Sequence, residues 1–442
     1  MITPAALRGS TGARPRYRTF PPWQPAPPDA AWDALLVFVS LFLATAVGRV
    51  HQLFPILIAV RVTFVSAILA LGVYVVVQDG PRRLGLIAAP TTTALLAFLG
   101  WAAASVPDAL NQGQAFHMVV DNLTKSVLMY AVMVGCVRGT RDVERLCLVY
   151  FAAAVIYASV VLTRFSVGGA HWRLSDLYYY DANDFATFVV TALPLGVFFM
   201  TTRRAVVLRV LAALGIVLLL AGLVRSGSRG GLLALVAALG FLALWYRAVP
   251  GRWRAVAVAG MALVVLLTAS GRYWEQMQTI VQPNSDYNVT GQEGRLALWR
   301  RGIGYLLRRP VLGVGADNFP VAEGEISPLA YRQAYGIGVP WMAPHDAFIQ
   351  VAAELGVPGV ALFLWMLGAT LAVLGHLQRA PPEASTPVGA LAAALTASVV
   401  GWVVGALFLS LAYAGMLYAL LALAVALRKA ATLESTWAAG AH

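Results

Sequence analysis

Long apolar runs alternate with short polar connections over most of the chain. The runs are about 17–25 residues long, enough for an α-helix to cross a hydrocarbon core about 30 Å thick. They are continuous, without the strict apolar–polar alternation that a transmembrane β-barrel requires, which excludes that class. We therefore predict an all-α polytopic membrane protein with about 12 transmembrane helices. The spans are expected at roughly 32–48, 53–77, 84–106, 117–137, 145–163, 184–201, 205–223, 230–246, 254–270, 346–375, 386–405 and 408–427.

The apolar pattern is interrupted once by a long polar stretch, between the ninth and tenth predicted spans. We expect residues 271–345 to form one large loop domain outside the membrane and to carry the functional residues. The remaining divisions are a disordered arm at 1–30, helices 1–9 at 31–270, helices 10–12 at 346–427 and a tail at 428–442.

Composition agrees with a membrane protein, because 60% of the residues are hydrophobic and only 12% are charged. The two cysteines, Cys136 and Cys147, are too few to indicate a disulfide framework or a metal site. The net charge of +12 comes almost entirely from arginine, since the only lysines are Lys125 and Lys429. Arginine stays charged at any working pH and holds phosphate oxygens with a planar fork, so its abundance bears on the ligand.

Part of this positive charge sets the orientation of the chain in the membrane. Short even-numbered loops contain clusters such as Arg82–Arg83 and Arg138–Arg141–Arg145. By the positive-inside rule these loops are cytoplasmic, and both termini are then cytoplasmic as well.

The arginines left on the outer side need another cause, and a polyanionic ligand on the outer face is the natural one. They are Arg49, Arg164, Arg173, Arg225, Arg229, Arg272, Arg295, Arg300, Arg301, Arg308, Arg309 and Arg332. Lys125 and Arg61 fall inside predicted spans, where charge is expensive and usually faces a wet cavity. The alternative for Lys125 is a side chain that reaches the interface by snorkelling.

Two outer loops add candidate residues. The loop 224–229 (VRSGSR) places Arg225 and Arg229 at helix ends, and the following Gly230-Gly231 leaves helix N-terminal amides unobstructed for an anion. The aromatic loop 164–183 ends in Asn183 at the mouth of the sixth span.

Within the polar stretch, residues 291–309 are readable as an amphipathic helix stopped by Pro310. Its large apolar residues share one face, and Arg295 borders that face, so Arg295 is expected to turn toward the membrane domain. Arg301 and Arg308 point away and are expected to be solvated or near lipid headgroups. The apolar residues are Leu296, Trp299, Ile303, Leu306 and Leu307.

His345 stands immediately before a helix that continues into the tenth span. The positive end of a helix dipole disfavours protonated imidazole, so a neutral His345 is available as a proton acceptor. The alternative is an interfacial histidine that caps the helix.

Four segments together give the chain a resemblance to the O-antigen ligase and polymerase superfamily of bacterial envelope glycosyltransferases. They are YDANDFATFVVTALPL (180–195), SGSRGG (226–231), GRLALWRRGIGYLLRRPVLGVGADNF (294–319) and PHDAFIQVAAELGVPGVALF (344–363). The resemblance places the family's outer-loop histidine on His345 and its two functional arginines on Arg229 and Arg295.

The resemblance implies transfer of a glycan from undecaprenyl diphosphate to an acceptor sugar in the periplasmic leaflet of the bacterial inner membrane. In a ligase the acceptor is the lipid A-core oligosaccharide of lipopolysaccharide; the alternatives are an O-antigen polymerase and a protein O-oligosaccharyltransferase. No ATP or other cofactor is expected, and no nucleic acid partner; the remaining partners are membrane lipids. Further substrate-binding candidates are Lys125, Arg49, Arg225, Asn183, Trp299 and Arg300.

A bound metal is not expected, because the outer side has no Asp-x-Asp and its nearest carboxylate pair is Asp181 and Asp184. Two other classes compete with a glycosyltransferase. A twelve-span secondary transporter would usually show two similar halves with a site near the midplane, and the sequence shows no such repetition. A noncatalytic envelope scaffold leaves the outward arginine excess unexplained.

Overall fold

A computed structural model describes residues 31–78, 80–164, 174, 180–202, 205–282, 291, 294–339, 341–379 and 386–440. Throughout these residues the secondary structure is helical, without strands. The predicted arm at 1–30 and the candidate Arg173 lie outside the described residues. The α-helices are α1 (Ala34–Ala46), α2 (Pro55–Ala59), α3 (Val62–Val76), α4 (Pro90–Ser105), α5 (Gln112–His117), α6 (Lys125–Cys136), α7 (Thr140–Arg164), α8 (Ala182–Thr202), α9 (Val206–Ser226), α10 (Arg229–Trp245), α11 (Gly251–Thr268), α12 (Gly271–Gln278), α13 (Arg295–Arg308), α14 (Phe319–Glu325), α15 (Ala347–Gln378), α16 (Thr386–Ala406) and α17 (Gly415–Gly440).

In the described part of the chain, eight helical segments are long and apolar enough to cross a membrane. They are Gln112–Cys136, Thr140–Arg164, Ala182–Thr202, Val206–Ser226, Gly251–Thr268, Ala347–Gln378, Pro387–Ala406 and Gly415–Thr436. The protein is therefore a multi-pass membrane protein, as predicted. The count of 12 spans and the outer position of the loop region remain predictions.

Three of the predicted spans are not single continuous helices, and one of them, 346–375, is interrupted at Gly356. Residues 53–77 are split between α2 and α3, because Arg61 adopts a left-handed backbone conformation (φ 51°) that no continuous helix tolerates. The predicted span 408–427 becomes helical only at Gly415, because the preceding segment directs polar groups to α15. The Ala412 N–H, for example, donates to Gln350 Oε1 at 3.4 Å.

The centre of the helical bundle is formed by α8, α16 and α17. Most of the residues in these helices are buried, including Trp402 and Tyr418. Small residues allow close contact between them: a Cβ on Gly405 would stand 2.7 Å from Thr187 Oγ1. The start of α10 also packs closely against α8, since a Cβ on Gly231 would stand 2.6 Å from Ala186 Cβ.

Helix α15 is broken at Gly356, whose backbone (φ 69°, ψ −169°) lies outside the helical region. The break sits inside a long apolar segment, where exposed main-chain groups would have no water to bond. The loop that follows α13 supplies the missing partner, since Pro310 O accepts the Val357 N–H at 2.8 Å.

The carbonyl groups released by the break are also paired. Two accept main-chain N–H groups of the glycine turn at 313–319, and one accepts an indole N–H. The bonds run from Val314 N to Ala353 O (2.9 Å), from Gly315 N to Glu354 O (2.9 Å) and from Trp101 Nε1 to Leu355 O (2.9 Å). The N-terminal part of α15 is thereby fixed to the loop region by the main chain.

Candidate active site

A cavity of about 100 Å³ lies where the starts of α8, α10 and α13 meet the end of α16. Its polar lining includes Asn183, Arg229, Gln276 and Arg295. Two of the four side chains are guanidinium groups, which suit an anionic group with several oxygen atoms.

Arg229 begins α10 directly after a capped turn. Gly227 has a left-handed backbone (φ 60°) that ends α9, and Ser228 Oγ then accepts the Gly231 N–H at 3.1 Å. The expectation of unobstructed amides is therefore wrong for Gly231, whose N–H is occupied by the cap. The Arg229 side chain is half-buried and donates from Nη1 to Thr279 Oγ1 at 2.6 Å.

Arg295 is the first residue of α13 and is half-buried beside the cavity. The inward position of Arg295 agrees with the prediction. The face of α13 that is buried, however, is not the face that was predicted. The buried residues are Leu298, Gly302 and Tyr305, whereas the predicted face includes Leu307, which is 74% exposed. Gly302 explains the difference, because a glycine permits close approach that the pattern of large apolar residues does not reveal.

The expectation that Arg301 is solvated is wrong. Its side chain is only 12% exposed and forms an ion pair with buried Glu323, with Nη2 and Oε2 2.6 Å apart. The Tyr305 hydroxyl donates to the same carboxylate at 2.7 Å. Arg308 is exposed, as predicted, and donates to Ile326 O at 3.2 Å.

His345 occupies a strained backbone position beside the segment 407–414 and is not one of the residues that line the cavity. Its φ of 50° is in the left-handed region, which costs a non-glycine residue about 1–3 kcal/mol and is often found at functional sites. The His345 N–H donates to Ser410 Oγ at 2.9 Å, and Trp299 Nε1 donates to the preceding Pro344 O at 3.0 Å. The cavity-lining residue Leu409 directly precedes Ser410.

Burial lowers the pKa of His345 below its ordinary value of 6.5, and the positive charge of Arg295 lowers it further, while Asp181 opposes both. The neutral imidazole is therefore favoured, as predicted, but the cause is burial and the charge of Arg295 and not the helix dipole. The side chain of Asp346 caps α15 by accepting the Phe348 and Ile349 N–H groups at 2.8 and 2.9 Å. The alternative role of His345 as the helix cap is thus taken by its neighbour.

Three of the other predicted binding residues lie at the cavity or close to residues that border it. Asn183 lines the cavity with the two arginines, and Trp299 supports the turn that carries His345. Arg49 lies over the ring of Tyr180, with its Cζ 5.7 Å from the ring centroid, on the loop that leads to α8.

Three predicted residues are not brought into this group. Lys125 is 65% exposed and pairs with Asp121, Nζ to Oδ1 at 2.8 Å. Arg300 is exposed on α13. Among the described residues, the cavity lining includes neither of these nor Arg225.

Sequence reasoning missed Glu354, a fully buried carboxyl group beside the break in α15. The sequence did contain a signal: Glu354 is a charged residue in a long apolar run, two positions before the turn-forming Gly356, and charge at such positions usually has a specific partner. Ser410 and Tyr413 were also missed, because they fall inside a stretch read as a continuous span.

The described ranges contain no group of three His, Cys, Asp or Glu side chains arranged to hold a metal ion. Metal independence nevertheless remains a prediction about the reaction.

Part of the chain is similar to a known protein family. Residues 214–364 match the family model described as O-Antigen ligase. This confirms the resemblance to the O-antigen ligase and polymerase superfamily. The matched segment contains Arg229, Arg295, His345 and Glu354. No curated protein matches the chain.

Proposed function

We propose that the protein is an O-antigen ligase, which transfers a glycan from undecaprenyl diphosphate to the lipid A-core oligosaccharide. One observation carries the proposal: two arginines from separate helices line one cavity, and burial together with the charge of one of them, Arg295, lowers the pKa of His345. The family match over residues 214–364 supports the same class of reaction.

Arg229 and Arg295 bind the diphosphate of the lipid carrier in this mechanism. When the bond between the anomeric carbon and the diphosphate oxygen breaks, negative charge develops on the departing phosphate. Guanidinium groups already in place stabilise that charge without reorganisation, and their fork geometry matches phosphate oxygens. The energy of the diphosphate linkage drives transfer, so no ATP is needed.

His345 acts as the general base. Its neutral ring takes the proton of the acceptor hydroxyl as the hydroxyl oxygen forms the new bond to the anomeric carbon. A well-placed general base contributes about 10²–10⁴-fold to the rate. Direct displacement inverts the anomeric configuration, and the products are the extended core and undecaprenyl diphosphate.

The site belongs on the periplasmic side of the inner membrane in this proposal, with both termini in the cytoplasm. The distribution of arginines in short loops supports this orientation. Cysteine substitutions in the 271–345 region should react with a membrane-impermeant thiol reagent in intact spheroplasts. Labelling only after lysis would overturn the orientation.

The decisive experiment offers purified protein in detergent the lipid A-core and the carrier-linked glycan, separately and together. Product on the core, formed only when both are present, supports the ligase, and it should persist in EDTA. Lengthening of the carrier-linked chain alone would identify a polymerase. A transporter would give no covalent product in detergent. His345→Ala provides the control, and full transfer by that variant would overturn the mechanism.

A further inference from the structure

Glu354 joins three separate parts of the protein at the break in α15. Its carboxyl group is fully buried and accepts three hydrogen bonds. The donors are the Asp317 N–H (2.9 Å to Oε2), the Phe319 N–H (3.2 Å to Oε1) and the Tyr413 hydroxyl (2.8 Å to Oε2). Two donors belong to the glycine turn at 313–319, and the third belongs to the non-helical segment 407–414 between α16 and α17.

The glycine turn connects Glu354 to Arg295. Phe319 ends the turn and packs edge-on against Tyr305 of α13, with ring centroids 5.5 Å apart. It also lies against Gly302, where an added Cβ would stand 2.9 Å from the Phe319 ring. These contacts fix the rotation and position of α13, and α13 begins with Arg295.

The segment 407–414 connects Glu354 to His345. Tyr413 donates to Glu354, while Ser410 three residues earlier accepts the His345 N–H at 2.9 Å. The same segment contributes Phe408 and Leu409 to the cavity lining. The left-handed backbone of His345 therefore rests on a segment that Glu354 anchors.

We propose that Glu354 is a positioning residue, which sets the placement of His345 relative to Arg295 by tying the glycine turn and the segment 407–414 to α15. The proposal rests on the function proposed above. It goes beyond that function because Glu354 touches neither the cavity nor a reacting group.

The chemistry of the three partners explains why a glutamate is needed. Each partner donates a proton, so both carboxyl oxygens act as acceptors. In glutamine an NH₂ group replaces one oxygen, and in either orientation of the amide that NH₂ faces a main-chain N–H. The substitution keeps shape and volume but sets two donors against each other, which pushes the turn or the segment 407–414 away.

Glu354→Gln should reduce kcat for transfer about 10²-fold, because a displacement of about 1 Å between catalytic groups costs that much. KM for the lipid-linked donor should change by a smaller factor than kcat, since Arg229 binds the same diphosphate from the start of a separate helix, α10. The acid limb of the pH–rate profile should move to higher pH as His345 loses its placement beside Arg295. A variant that merely folds less well would lower the active fraction without moving the pH profile.

Two variants provide controls. Thr370→Val removes a buried hydroxyl contact (Thr91 Oγ1 to Thr370 Oγ1, 3.2 Å) on the same helix but beyond the break, and it should keep the wild-type kcat and pH profile. Tyr413→Phe removes one of the three donors without changing shape, and it should give a smaller fall in kcat, about tenfold, with the pH limb moving in the same direction. If Glu354→Gln does not insert into the membrane, Tyr413→Phe is judged by the same criteria.

The outcomes separate the two proposals. A wild-type kcat and pH profile in Glu354→Gln, or in Tyr413→Phe, together with an inactive His345→Ala, would overturn the positioning role and leave the function standing. An active His345→Ala would overturn the proposed mechanism, and the positioning role with it, whereas the absence of any covalent product from the wild-type protein would overturn the proposed function.

Discussion

Arg229 and Arg295 line one cavity although each begins a different helix, α10 and α13. The side chain of Ser228 caps α10, whereas Gly294 begins α13 without a side-chain cap bond, so the packing of each helix sets the direction of its first residue. The N-terminal ends of α10 and α13 both face this cavity. Each guanidinium group therefore approaches a ligand from a separate, independently fixed direction.

Arg295→Lys should lower the rate of glycan transfer by about 10–10³-fold, because a single ammonium cannot reproduce the planar fork that holds phosphate oxygens. The measurement is the initial rate of transfer by purified protein, at matched amounts of folded enzyme. Arg308→Lys on the same helix is the control, since Arg308 is exposed and bonds only the carbonyl of Ile326 among the contacts described. Equal rates in the two variants would contradict a phosphate-binding role for Arg295.

The pH dependence of transfer should reflect the lowered pKa of His345. Burial and the charge of Arg295 lower the pKa of the ring from its ordinary value of 6.5, so the ring stays neutral at lower pH. The acid limb of kcat/KM should therefore lie below pH 6.5. Arg295→Gln removes one of the two causes and should move the limb upward, in addition to lowering the rate. An acid limb that stays fixed would show that the titrating group is not His345.

The lowered pKa of His345 also makes folding stability depend on pH. The direction is opposite to that expected for a histidine whose pKa is raised by a salt bridge. The folded pKa is lower than the unfolded one, so the unfolded chain binds the proton more readily. The stability contributed by neutral His345 is full above the unfolded pKa near 6.5 and declines as the pH falls toward the folded pKa.

Gly356→Ala should destabilise the protein, because its backbone is in a region that side chains rarely adopt and the new Cβ would stand 2.2 Å from Val311 O. A cost of at least about 1–3 kcal/mol is expected from the backbone alone. Thermal unfolding in detergent measures it. Gly368→Ala on the same helix is the matched control, since nothing lies within 4 Å of a Cβ there. Similar melting temperatures for both variants would mean that the break is not built on Gly356.

Arg301→Ala should lower stability more than the loss of any exposed arginine on α13. It leaves Glu323, whose side chain is 2% exposed, without its ion partner, and breaking such a buried pair costs about 3–5 kcal/mol. Arg308→Ala should change stability by less than about 0.5 kcal/mol. The comparison is again by thermal unfolding, and equal losses would contradict the burial of the pair.

The sequence predicted what depends on continuous hydrophobicity and on local motifs. The membrane class, most helices, the inward Arg295 and the neutral state of His345 follow from apolar runs, helix ends and the position of nearby charge. The breaks at Arg61 and before Gly415 could not be predicted in this way, because hydropathy measures partition into lipid and is insensitive to backbone direction.

The interior of the loop region was harder to predict for a different reason. The buried face of α13 depends on Gly302, whose contribution is the absence of a side chain. Arg301 is buried because Glu323 lies across from it, a partner 22 residues away that no helical periodicity connects. Glu354 is readable as an anomaly in an apolar run, but its three partners become apparent only in three dimensions.

The interrupted helix also determines how the protein opens when it fluctuates. Because the main-chain groups on either side of Gly356 bond to residues 310–315, those bonds can separate only together. Protons on the amides of Val314, Gly315 and Val357 should therefore exchange with solvent at one common rate, as a single cooperative unit. The N-terminal end of α15, which follows His345, should therefore open together with the loop region, while the remainder of the helix opens with the bundle.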